Sequence, residues 1–357
     1  MAHKIPATVI TGFLGVGKTT LVQHLLANAN GKRLALIINE FGDLGVDGDI
    51  VKGCGIEGCD EDDVLELSNG CICCTVAEDF IPAMEKLINR ADPPDHIVIE
   101  TSGLALPQPL VRAFNWPEIR NKVTVDGVVT VVDSAAVQAG RFAHNEAAID
   151  AQRQGDDMLD HETPLSELFE DQLACADMII LNKMDLLSAD EALALEAKLK
   201  GEARKGVQFV KAEMGAVSPA TLLGLGIGAE SDMAGRHAHH HHDHDDDDHH
   251  HHDDDDHHHD HDHDDFETFQ VEMDVIADVD AFVERVKQVI IDHDILRLKG
   301  FAQVGGKPMR LVVQAVGPRV DHYFDRPLNE AEKGKTALVV IGQAGLDEGA
   351  IMAALSA

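Results

Sequence analysis

One stretch, Gly12-Phe13-Leu14-Gly15-Val16-Gly17-Lys18-Thr19-Thr20, rules out most of the folds open to this chain. The β-prone run 7–11 (ATVIT) precedes it, and residues 21–26 (LVQHLL) follow with the spacing of an amphipathic helix. G-x-x-x-x-G-K-T between a strand and a helix is a phosphate-binding P-loop. Gly12, Gly15 and Gly17 let backbone amides close on phosphate oxygens, and the helix N-terminus adds partial positive charge. Lys18 is expected at the β- and γ-phosphates, the Thr19 hydroxyl on Mg2+, and Thr20 beside them. The implied fold class is α/β with a mostly parallel sheet.

The remaining strands agree with this. Residues 33–39 (RLALIIN) are nearly all apolar, as in a parallel strand covered on both faces. They deliver Asn39-Glu40-Phe41-Gly42 and then Asp43, Asp47 and Asp49, an acidic loop where such enzymes place a switch; Glu40 is expected to help hold Mg2+. Residues 64–67, 95–100, 123–133, 178–182 and 207–211 are further strand patterns. The fourth of the seven, 95–100 (DHIVIE), ends in Glu100-Thr101-Ser102-Gly103, so Glu100 takes the position of the acid that reaches Mg2+. Gly103 is expected to sense the γ-phosphate through its amide. Lys18, Thr19 and Glu100 are then the residues that carry hydrolysis. The strand at 178–182 runs into Asn182-Lys183-Met184-Asp185. In N-K-x-D the carboxylate of Asp185 accepts both the ring N–H and the exocyclic amine of guanine, a pair that adenine does not offer, so the expected nucleotide is GTP.

Between the two presumed switch loops lies Gly70-Cys71-Ile72-Cys73-Cys74, which holds three of the six cysteines. The N-terminal residues lack the pattern of a signal peptide, so a cytoplasmic, reducing setting is expected, and clustered thiols there indicate soft-metal binding or redox chemistry. In an extended segment Cys71 and Cys73 face one way and Cys74 the other; a turn at Gly70 would bring all three to one ion. Thiolates favour Zn2+, Co2+ or Cu(I) over Mg2+. Cys54 and Cys59 form a looser pair that reads as extra ligands, a redox couple or neither, and Cys175 sits in a helical pattern as a core residue.

The formal charge is −35. Residues 237–265 comprise 15 His, 13 Asp and one Ala, a tract with no pattern able to bury a core. Histidine nitrogens and aspartate oxygens bind divalent cations exchangeably, so the tract suits metal scavenging, storage or buffering. An acidic surface repels phosphate backbones, which speaks against nucleic acid, and no apolar run approaches the ~20 residues of a membrane span. The expected domains are a nucleotide-binding half at 1–217, a Gly-rich and His/Asp-rich disordered linker at 218–265, and a smaller α+β domain at 266–357. Strand patterns at 267–274, 296–303, 309–316 and 336–342 and helical patterns at 279–291 and 346–355 make up the last. His322 and Tyr323 read as structural.

Residues 12–20, 39–42, 69–76 (NGCICCTV), 100–103 and 182–185 together resemble the CobW family of metal-handling P-loop GTPases. The run 53–60 (GCGIEGCD) is similar to its cobalamin-linked subgroup. The resemblance implies that GTP binding and hydrolysis are coupled to metal transfer through Cys71, Cys73 and Cys74, with Co2+ as cargo and the cobaltochelatase of cobalamin biosynthesis as acceptor. Zinc is the rival cargo, since Zn2+ lies close to Co2+ in ligand preference and above it in the usual affinity order. Other readings are a His-rich metal store and a signalling GTPase with incidental cysteines.

Overall fold

The computed structural model describes residues 4–29, 31–39, 64–67, 80–145, 149, 164–231, 233, 236, 266–317, 319–330 and 332–356. In the first domain the elements are β1 (Ile5–Thr11), α1 (Lys18–Ala27), β2 (Leu34–Asn39), β3 (Val64–Leu67), α2 (Ile81–Ile88), β4 (His96–Glu100), α3 (Pro107–Ala113), β5 (Val123–Asp133), α4 (Ser134–Gln138), α5 (Leu165–Cys175), β6 (Met178–Asn182), α6 (Ala189–Glu202), β7 (Gln208–Lys211) and α7 (Pro219–Leu222). The seven strands form one sheet in the order β3-β2-β4-β1-β5-β6-β7, and every described pairing in it is parallel. Period-two geometry sends alternate residues of β2 to opposite faces. Leu34, Leu36 and Ile38 pack with α1, α5 and α6, whereas Ala35 and Ile37 pack with α2 and α3. Both faces are therefore covered, which is why the strands read as continuous apolar runs.

From β1 the chain runs to β2 on one side of it, and only after β4 does it cross to β5 on the other, so the order reverses at β1. The crevice at that switch point, at the C-terminal ends of the strands, is where the loop 12–17 lies. Phe13 anchors the loop from below: its ring lies 6.0 Å from that of Phe142 and 6.2 Å from that of Phe169.

The second domain contains β8 (Phe266–Met273), α8 (Val279–Asp292), β9 (Arg297–Gln303), β10 (Met309–Val316), β11 (Arg319–Pro327), β12 (Thr336–Gln343) and α9 (Glu348–Ser356). Its strands form an antiparallel sheet in the order β11-β10-β9-β12-β8. Phe282, Val286, Val289 and Ile290 of α8 and Ile351 and Leu355 of α9 pack on Leu298, Leu311, Val313, Leu338 and Val340. This is the expected α+β arrangement with one covered face. Strand β11 was not foreseen: its side chains are mostly exposed, so no apolar alternation announces it.

The linker expectation requires a correction at its start. Residues 218–231 are folded onto the first domain rather than disordered, with Thr221, Leu222, Leu223, Leu225, Ala229 and Glu230 buried. A β-bulge in β5 explains why. Ala7 pairs with Val125 and Thr8 with Gly127, so Asp126 drops out of the ladder. Its carboxylate accepts from the amides of Gly224 (2.5 Å) and Gly226 (2.7 Å). Glu230 accepts from Val125 N (2.9 Å) and Thr124 Oγ1 (2.7 Å). The same segment receives the second domain: the Arg297 guanidinium donates to the carbonyls of Ala220 and Leu223. Leu296 and Val316 join the core cluster of the first domain.

Candidate nucleotide and metal site

The P-loop is held open by its own backbone and by three side chains. Gly17 has φ 102°, and a Cβ there would lie 2.3 Å from Asn182 Nδ2, so glycine is required on both counts. Lys18 lies at the start of α1, where its ammonium donates to the carbonyls of Gly12 (2.8 Å) and Phe13 (3.1 Å) and is enclosed by the loop. Thr19 Oγ1 donates to Glu100 Oε1 at 3.1 Å, across 81 residues of chain. Thr20 follows in the same first turn, and Gly15 (φ 76°) lies at the loop's crest.

A hydroxyl and a buried carboxylate at the head of a phosphate loop are the hard oxygen donors that Mg2+ selects. Thr19 and Glu100 fit that ion, and with it bound the ion would neutralise charge on the terminal phosphates. After Glu100 the chain passes against the P-loop: a Cβ at Gly103 would lie 2.7 Å from Leu14 N. Gln172 of α5, fully buried, fixes this loop by donating to the carbonyls of Gly103 (3.2 Å) and Ala105 (3.4 Å).

The N-K-x-D residues join the same assembly. Asn182 Nδ2 donates to Val16 O (2.8 Å), and Asn182 Oδ1 accepts from Gly215 N (3.0 Å), linking the P-loop to the turn after β7. Lys183 takes a left-handed conformation (φ 62°) and donates to Gly15 O (2.8 Å) and to Asp133 Oδ2 (2.5 Å). Asp185 lies exposed in the short turn Met184–Leu186 that follows, open to a base.

Thus Gly12, Gly15, Gly17, Lys18, Thr19, Thr20, Glu100, Gly103, Asn182, Lys183 and Asp185 all fall at one edge of the sheet. Three functional residues escape a reading by motif: Asp133, Gln172 and Gly215. Only Asp133 has a sequence signal, an acid ending an apolar strand, the same signal that marks Glu100.

Glu40, Cys54, Cys59, Cys71, Cys73, Cys74 and the tract 237–265 lie outside the described residues. Their flanks are described. Asn39 pairs with Leu67, the last residues of the parallel strands β2 and β3. The chain therefore enters both 40–63 and 68–79 from the strands' C-terminal edge, the edge that carries Lys18, Thr19 and Glu100. Among the described residues no group of three or more His, Cys, Asp or Glu is arranged to hold a metal ion. Cys175 is buried at the end of α5, and burial pushes its thiol up to about 12, so it is no thiolate at neutral pH. No helix among the described residues is long and apolar enough to cross a membrane.

Comparison with known proteins matches residues 6–211 to the CobW/HypB/UreG nucleotide-binding domain and residues 266–357 to the cobalamin synthesis protein cobW C-terminal domain. A protein of Sinorhizobium sp. named zinc chaperone CobW is 59% identical over 99% of this chain and 97% of its own length. A second of that name, from Pseudomonas aeruginosa, is 52% identical over 98% of this chain and 90% of its own. The zinc-regulated GTPase metalloprotein activator 1 of Schizosaccharomyces pombe is 39% identical over 54% of this chain and 41% of its own. Among solved structures, the Zn(II)-bound YjiA GTPase of E. coli aligns over 99% of this chain and 98% of its own, at 22% identity and a TM-score of 0.41. With both family models matched in order along one P-loop α/β domain and one antiparallel domain, the chain belongs to the CobW family.

Proposed function

We propose that the protein is a GTP-gated metallochaperone of the cytoplasm whose cargo is Zn2+, held by Cys71, Cys73 and Cys74 and released when GTP is hydrolysed. The observation that carries this reading is the Asn39–Leu67 pairing. It starts the segment with Glu40 and the segment with the three cysteines at the edge where Thr19 and Glu100 meet. A γ-phosphate and its Mg2+, held by Thr19, Glu100 and Glu40, would draw these segments together, and loss of the phosphate would relax them. Zinc is favoured by two supports: the names of the relatives that match nearly the whole chain, and the place of Zn2+ above Co2+ in the affinity order of divalent ions. Asp185 gives the preference for GTP over ATP, and Lys18, Thr19 and Glu100 carry hydrolysis. Among the described residues no catalytic base stands out, and intrinsic turnover is expected to be slow.

A second reading, Co2+ delivered to the cobaltochelatase of cobalamin biosynthesis, is favoured by the C-terminal match to a cobalamin-synthesis domain and by the run 53–60. The deciding experiment is competition between Zn2+ and Co2+ in buffered free-metal solutions, with and without a nonhydrolysable GTP analogue and Mg2+. The proposal expects tight binding only with the analogue, and loss of that binding in Cys71→Ser/Cys73→Ser with GTP affinity retained. Each tenfold difference between the two nucleotide states corresponds to about 1.4 kcal/mol of coupling. Equal metal affinity in both states overturns the gating. Loss of tight binding on deletion of 237–265 alone would make the protein a metal store instead.

A further inference from the structure

Among the described residues three other than glycine take a positive φ, and two of them stand at the candidate nucleotide site: Lys183 (φ 62°) and Met214 (φ 48°). Lys183 is held there by Gly15 O and Asp133 Oδ2. Met214 follows β7 in the turn Glu213–Ala216, where Ala216 N donates to Glu213 O at 2.8 Å. Met214 and Gly215 (φ 69°) are both left-handed, the pattern of a type I′ turn. Asn, Asp or Gly suits the first of those positions, and a long apolar side chain does not. Met214 is also 75% exposed, more than any other large apolar side chain among the described residues. A strained backbone that lifts an apolar side chain into water adds nothing to the core, and strain of this kind gathers where a ligand is held.

The turn is fixed between the two ends of the site. Gly215 N donates to Asn182 Oδ1 at 3.0 Å and Met184 N to Ala212 O at 3.3 Å, so one side of the turn lies along N-K-x-D. On the other side a Cβ at Gly215 would lie 2.8 Å from Leu21 N and 3.2 Å from Thr20 C, so the turn rests against the first turn of α1. Thr20 belongs to the phosphate end of the site and Asp185 to the base end. The span between them is the place of a nucleoside, and Met214 stands over it. Walls of small-molecule sites are mostly apolar, and a polarizable thioether packs well on an aromatic ring.

We propose that Met214 is a positioning residue for the nucleotide, its thioether covering one face of the purine ring while the stem of Lys183 forms the opposite wall. Asp185 selects guanine by its edge, and Met214 holds the ring by its face. The tight turn presents the side chain before the nucleotide arrives, so little is left to order on binding. This deepens the reading of this edge as a GTP site and rests on it.

The test uses the full chain with Mg2+ and two ligands, GDP and inorganic tripolyphosphate, which lacks the base. Met214→Ala should weaken GDP about fivefold and leave tripolyphosphate unchanged. Met214→Leu, which restores an apolar side chain of similar volume, should return GDP affinity to within about twofold of the parent. Met214→Gly relaxes the turn and removes the side chain, so it should lose as much GDP affinity as Met214→Ala; thermal midpoints report separately that the variants fold. In protein labelled with 13C at the methionine methyl groups, the resonance missing from Met214→Ala should move upfield with GDP, through the ring current of the base, and stay in place with tripolyphosphate. Equal GDP affinity in the parent and Met214→Ala overturns the proposal, as does an equal loss for tripolyphosphate or a methyl resonance that GDP leaves in place. Failure of the parent itself to bind GDP would overturn the reading of the GTP site, a different result from any of these.

Discussion

Asp133 ends β5 with its carboxylate buried and divided between two tasks. Oδ1 accepts from Ala136 N at 3.0 Å, capping α4, and Oδ2 holds Lys183 Nζ at 2.5 Å. The lysine in turn reaches Gly15 O, so the carboxylate fixes the side chain that flanks the candidate base site. Asp133→Asn keeps an oxygen for the cap and removes the charge from the lysine pair. A charge-assisted bond of this kind is worth about 1.5–3 kcal/mol. The expected outcome is GDP affinity weakened about tenfold with the turnover number at saturating GTP nearly unchanged, measured by fluorescent-nucleotide titration and steady-state kinetics. At this scale the sequence was readable wherever a role follows from local spacing. Gly12, Lys18 and Thr19 lie within one turn of chain, and Asn182 to Asp185 within another. Gln172 reaches Gly103 over 69 residues, and no local pattern encodes such a contact.

Among the elements, the segment 218–231 was the one whose fate the residues concealed. Gly224, Gly226 and Gly228 all take positive φ, and such glycines read as a loop in any window. Its order rests on Asp126, which takes the amides of Gly224 and Gly226 from outside the segment, and on its own Glu230, which accepts from Val125 N and Thr124 Oγ1. Strand β11 was hidden for the opposite reason: it pairs on one side with β10 and buries little, so hydrogen bonding rather than apolar contact defines it. The strands of the first sheet were legible because burial on both faces leaves an unbroken apolar run. Asp126→Asn would turn its amide nitrogen toward one of the N–H groups of Gly224 and Gly226, leaving that part-buried donor unmet at a cost of roughly 1 kcal/mol. The expected result is native-state cleavage by thermolysin between Leu222 and Leu225 at least several-fold faster than in the parent, detected by mass spectrometry. An unchanged cleavage rate would mean that the apolar contacts of Leu222 and Leu225 hold the segment without the carboxylate.

For the whole molecule, acid sensitivity follows from one buried imidazole. His96 Nε2 lies 2.8 Å from Thr8 Oγ1 and 3.8 Å from Asp126 Oδ2, and burial lowers its pKa from 6.5 to about 4 despite the attraction of Asp126. Lys32 and Arg297 also face it and act in the same direction as burial. Between those two values the unfolded chain binds the proton and the folded one does not, so stability falls as pH drops from 6.5 to about 4 and is independent of this group above that range. The contribution over the whole window is about 3 kcal/mol. His96→Gln should flatten the difference in urea-unfolding free energy between pH 7 and pH 4.5, whatever its effect at pH 7 alone.

The edge of the parallel sheet has a consequence of its own. Among the described strands β3 is the outermost; its ladder, four residues long, is with β2. The candidate nucleotide residues, by contrast, follow β1, β4, β5 and β6 at the centre. Breaking that ladder would free β3 and leave the pairings among β1, β4, β5 and β6 intact. Strand β3 can therefore open on its own clock, and amide exchange at Val64–Leu67 would run ahead of exchange in β1 and β4 with nucleotide added.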